Sequence, residues 1–107
     1  MSDIPSQYDV QGYVQLRRCI LKVLYEFFQE YPYGSMEPKE MGETCRTTPW
    51  LLNWNLVYLE KKGYLELDRS PDCSQFVACS ASITAEGIDL VENESIFNSL
   101  FPESAET

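Results

Sequence analysis

Between Thr48 and Gly63 the chain carries both a helix start and a helix stop, and few folds accommodate what lies on either side of them. Thr48 has the hydroxyl of an N-cap, and Pro49 suits the first helical position, where its missing N–H would be unpaired anyway. Leu52, Leu56 and Leu59 follow at i, i+4 and i+7 on one face. Lys61 and Lys62 sit beside the negative end of the helix dipole. Gly63 supplies the left-handed residue that ends a helix. A helix over residues 50–62 is therefore predicted. Residues 64–68 then alternate as a strand, with Leu65 and Leu67 inward and Glu66 and Asp68 outward. Ser70, Pro71 and Asp72 provide turn chemistry, and residues 75–82 return as a second strand, giving a hairpin with a loop of roughly six residues.

Upstream, residues 10–31 read as one long helix. Leu16, Ile20, Val23, Leu24, Phe27, Phe28 and Tyr31 recur at the helical period, and Arg17, Arg18, Lys22, Glu26 and Glu30 take the other face. Pro32 ends it. Residues 33–36 leave room for one short strand, Pro38 opens a short second helix over residues 38–45, and Arg46 and Thr47 make a tight turn into the third. Downstream, Thr84 caps a helix expected to reach about residue 94, with Ile83 and Ile88 placed for a hydrophobic staple. Gly87 inside it lowers helix propensity by about 1 kcal/mol relative to Ala, which implies a close backbone approach. Ile96, Phe97, Leu100 and Phe101 form an apolar patch before Pro102 and an acidic tail.

At 107 residues the chain suits one domain. Its net charge of −9 is uneven: residues 73–107 hold six acids and no base. Cys19, Cys45, Cys73 and Cys79 contain no CxxC pair, so they are read as reduced thiols, with a Cys73–Cys79 bond across the hairpin as the alternative. The polar first eleven residues lack a signal-peptide pattern and no apolar run is long enough to span a membrane, so a cytoplasmic location is expected. The absence of histidine excludes Ser-His-Asp and Cys-His devices, and neither a P-loop nor GxGxxG is present. No enzymatic activity, cofactor or metal is expected.

Leu56, Leu59, Gly63, Tyr64 and Leu65 within LVYLEKKGYLEL, followed by ITAEGIDLVE, resemble the winged helix-turn-helix family of bacterial and archaeal regulators. The resemblance implies an α+β fold: a three-helix core, a β-hairpin wing and a C-terminal helix. The organisation it suggests is a flexible N-terminus (1–9), a winged helix domain (10–94), and an apolar segment with an acidic tail (95–107).

Family likeness implies a dimeric transcriptional regulator that binds double-stranded DNA, its third helix in the major groove and its wing on the backbone. The contacts it assigns are Lys39, Arg46, Thr47, Thr48, Asn53 and Arg69. With about three phosphates neutralised, the salt slope would be only about −2.7. The alternative is a protein-binding module that uses Trp50, Leu51 and Trp54, because tryptophan favours interface hot spots. Ile96, Phe97, Leu100 and Phe101 are read as a homodimer contact, or else as a flap over the domain's own core. Arg17, Arg18 and Lys22 are read as a solvated basic face.

Overall fold

The computed structural model describes residues 10–103. The expected flexible N-terminus, residues 1–9, and the last four residues of the tail lie outside the described residues. The fold is α+β, with five helices and one two-stranded antiparallel hairpin among the described residues. Their order is α1 (Val10–Glu30), α2 (Pro38–Thr44), α3 (Pro49–Lys61), β1 (Leu65–Asp68), β2 (Ser80–Ile83), α4 (Ala85–Glu92) and α5 (Glu94–Leu100).

Helix α1 touches α2, α3, α4 and β2 and forms the central wall. Its Ile20, Leu21 and Leu24 meet Met41 of α2 and Leu52, Leu56 and Leu59 of α3 in a core from which solvent is excluded. Each such side chain contributes about 1.5–3 kcal/mol by leaving water. The hairpin pairs Leu65 with Ile83 and Asp68 with Ser80. Met36 adds a single bridge to Ala81, its N–H donating to the Ala81 carbonyl at 2.8 Å and its carbonyl accepting in return at 2.9 Å. The connection between α1 and α2 thus supplies one rung of strand.

Both inner helix ends close in the same way. After α3, Gly63 at φ 87° donates to Glu60 and Tyr64 donates to Leu59. After α2, Arg46 at φ 55° donates to Glu43 and Thr47 donates to Gly42. Both are Schellman closures, which place one left-handed residue beyond the helix. At the α2–α3 turn that residue is an arginine, at a steric cost of about 1–2 kcal/mol.

The structure departs from expectation in three elements. The second strand begins at Ser80, five residues later than the alternation predicts, so residues 69–79 form the loop. Asn53 explains the difference: its amide donates to the Gln75 carbonyl and accepts from the Val77 N–H, both at 2.9 Å, drawing that backbone onto α3 instead of along β1. The last helix breaks at Asn93, whose side chain accepts from Ile96 N–H and starts α5 in a new direction. Finally, the cysteines are paired, not free. Cys19 joins Cys45 and Cys73 joins Cys79, with Cα–Cα separations of 6.0 and 4.8 Å. Folding brings α1 against the end of α2, a proximity between residues 26 apart that their spacing could not reveal.

Candidate interaction surface on the third helix

The N-terminal half of α3 begins as read: Thr48 caps it, its Oγ1 accepting from Leu51 N–H at 3.3 Å. The helix turns Leu52, Asn55, Leu56 and Leu59 inward, which leaves Trp50 and Trp54 outward at 57% and 55% exposure. The two indoles lie 5.4 Å apart between ring centroids, and Tyr13 of α1 stands 6.4 Å from Trp54. This aromatic platform borders a cleft of about 330 Å³ lined by Tyr13, Leu16, Leu51, the Cys19–Cys45 bridge, Arg46 and Thr47.

The expected DNA contacts are divided. Arg46 and Thr47 share the cleft and Arg46 is exposed. Lys39 lies elsewhere on α2 and is paired with Glu43 at 3.2 Å, and Arg69 is paired with Glu60. Thr48 is occupied as a cap. Asn53 has its amide engaged at both ends by the 69–79 loop, so the side chain expected to read a base edge is already satisfied within the protein.

The basic face expected on α1 is also corrected. Arg17 Nε donates to Asn55 Oδ1 at 2.7 Å, and its guanidinium lies 3.6 Å from the Tyr58 ring centroid and 5.5 Å from that of Tyr13. Burial pulls this guanidinium below its ordinary pKa, while Tyr58 and Tyr13 act in the opposite sense. Arg18 donates to Asn98 Oδ1 at 2.8 Å and to the Phe101 carbonyl at 2.6 Å, lies over the Phe97 ring, and pairs with Glu103. Both arginines act as internal clamps. Lys22 alone of the three is exposed.

The expected dimer patch separates for the same reason. Arg18 holds α5 so that Phe97 and Phe101, each 4% exposed, enter the core. These two are flap residues, whereas Ile96 and Leu100 remain 49% and 47% exposed on the other side of α5.

Two participants, Tyr13 and Asn55, escape a reading of the sequence, which places Arg17 on a solvated face. Asn55 is 1% exposed; its amide donates to Leu51 O at 2.8 Å and its oxygen receives Arg17. A signal was present, because Asn55 falls at i+3 in the stripe that begins at Leu52, and a polar group there needs a partner. Tyr13 carried no such signal.

Charge sharpens the surface. No Asp or Glu occurs in residues 10–25 or 44–59, the stretches that supply the platform and cleft, although the chain contains seventeen acids. Among the described residues, no group of His, Cys, Asp and Glu is arranged to hold a metal ion, and no helix is long and apolar enough to cross a membrane. Compared with family models, with curated proteins and with solved structures, the chain matches none.

Proposed function

We propose that the chain is a winged-helix module that binds a protein partner through the platform formed by Tyr13, Trp50 and Trp54. The observation that carries this reading is the exposure of two neighbouring tryptophans on the third helix, 57% and 55%, where a groove-reading helix would present polar side chains. Burying aromatic surface of this kind is the strongest single source of interface affinity. The basic groups needed for a duplex are few, and Lys39 and Arg69 are already neutralised by Glu43 and Glu60. The helix order and the bridge of Met36 to Ala81 support the winged-helix assignment.

A second reading, a dimeric DNA-binding regulator, is favoured by the acid-free stretch around Arg46, Thr47 and Thr48. One titration separates the two. Fluorescence anisotropy of a labelled mixed-sequence duplex at about 50 mM salt, where electrostatic binding is strong, is expected to show no complex in the range of about 1–100 µM typical of non-specific binding. Binding that weakens with salt and is lost in Arg46→Ala would overturn the protein-binding reading.

A further inference from the structure

We infer that the partner docks as a short peptide in which a large apolar side chain stands next to an aspartate or glutamate, the apolar group entering the cleft beside the tryptophans and the carboxylate meeting Arg46. The inference rests on the protein-binding reading and gives that partner a chemistry. The cleft, about 330 Å³, has apolar walls of Tyr13, Leu16, Leu51 and the Cys19–Cys45 bridge. That volume is at the lower end of the range for ligand pockets, room for one anchoring side chain and not for a folded element. Among the described residues that line it, Arg46 is the one charged group, and Thr47 beside it brings a hydroxyl.

The electrostatics select an acid. The chain carries seventeen acids against eight bases, and two of its four arginines are neutralised within the fold, Arg18 by Glu103 and Arg69 by Glu60. The other two, Arg17 and Arg46, make no ion pair among the described residues, and both belong to this surface. Arg46 lines the cleft. Arg17 lies 5.5 Å from the Tyr13 ring centroid, and that ring stands 6.4 Å from Trp54. Its guanidinium is committed to Asn55 and Tyr58, so it adds positive potential, not a contact. A carboxylate held against apolar walls gains more from a guanidinium than it would in open water, and the planar fork can take both its oxygens. The backbone argues the same way. Of the two Schellman closures, the one after α3 uses Gly63 at φ 87°, which glycine adopts freely, whereas the one after α2 uses Arg46 at φ 55° against a steric cost. A side chain held at the mouth of a cleft at the expense of stability points to a ligand that needs it.

A displayed library of short random peptides, selected on the oxidised full chain in about 0.15 M salt, tests this. Enriched peptides are expected to carry Asp or Glu next to Phe, Leu or another large apolar residue. The best of them is then labelled and titrated by fluorescence anisotropy. Trp50→Ala with Trp54→Ala should weaken it by about 100-fold, since hot-spot residues dominate such contacts. Arg46→Gln should weaken it by about 10-fold, the acid-to-amide exchange in the peptide by the same factor, and the two together by no more than either alone, the signature of a single charge pair. Gln keeps the left-handed side chain, so the Tm of that variant should match the parent, whereas Arg46→Gly removes the steric cost and should raise Tm while weakening the peptide as much as Gln does. A fall in both Tm and affinity on Arg46→Gly would make Arg46 a structural residue and overturn the inference. Peptides that need the tryptophans but carry no acid, or an Arg46→Gln variant that binds like the parent, overturn it and leave the protein-binding reading standing. Self-association of the parent that the peptide reverses would make the occupant a second copy and overturns it as well. A selection that yields no tryptophan-dependent peptide also overturns it, and if the chain binds duplex in the titration above, the protein-binding reading falls with it.

Discussion

Replacing Cys19 and Cys45 together by Ala is expected to lower the free energy of unfolding by about 3.5 kcal/mol, against about 2 kcal/mol for Cys73 and Cys79. The order follows from the loops each bridge closes, with sequence separations of 26 and 6. A longer loop has more conformational freedom in the unfolded chain for a bridge to remove. The first bridge also ties α1 to the end of α2 beside Arg46, so its loss frees the turn that precedes α3. Urea unfolding of the oxidised protein, the reduced protein and both double variants measures these values. For a domain of this size the larger loss corresponds to a fall in Tm of about 15–25 °C. Intact mass with thiol labelling comes first: four free thiols in protein prepared without reductant would refute the pairing, and a reversed order would refute the loop argument.

Two helical glycines should respond to alanine in opposite directions. A Cβ at Gly87 would lie 2.5 Å from the Tyr64 carbonyl oxygen and 2.7 Å from Ile83 Cγ1. That carbonyl already accepts the Thr84 N–H at 2.9 Å, while the Thr84 hydroxyl donates to Gly63 O at 2.6 Å and accepts from Gly87 N–H at 3.1 Å. The start of α4 and the end of α3 are locked together there, so backbone must move to admit a methyl group. Gly87→Ala is expected to destabilise by about 1–3 kcal/mol, outweighing its gain in helix propensity. At Gly42 the nearest atoms to an added Cβ, Leu52 Cδ2 and Thr47 O, lie at 3.6 Å, ordinary contact distance. Gly42→Ala should therefore stabilise by about 0.5–1 kcal/mol. Thermal unfolding monitored by circular dichroism separates them; equal shifts of the same sign would show that the close approach at Gly87 is not real.

The close approach at Gly87 is legible in the sequence because a glycine in a capped, amphipathic helix costs stability that packing must offset. The start of α3 at Pro49 and the stop at Gly63 are legible for a similar reason. The α5 patch is legible only as apolar. Which of its four side chains face inward depends on Asn93 redirecting the chain, and on Arg18 holding its far end. Leu21 shows the same limit: it stands at the edge of the apolar stripe expected for α1, yet it is fully buried.

Sequence alone determined where α1, α2 and α3 begin and end, where α4 starts and that a hairpin lies between α3 and α4, since caps, left-handed stops and periodicity act between residues a few positions apart. Tertiary structure decided what the polar and sulfur-bearing residues do. Arg17 meets Asn55 across 38 residues, Arg18 meets Asn98 across 80, and Asn53 meets the Gln75 to Val77 backbone across 22 and 24. Each is a side chain able to serve solvent, a ligand or the protein itself. Only the packing of the elements and the 69–79 loop against one another, driven by burial of apolar surface that carries no information about polar partners, selects among the three.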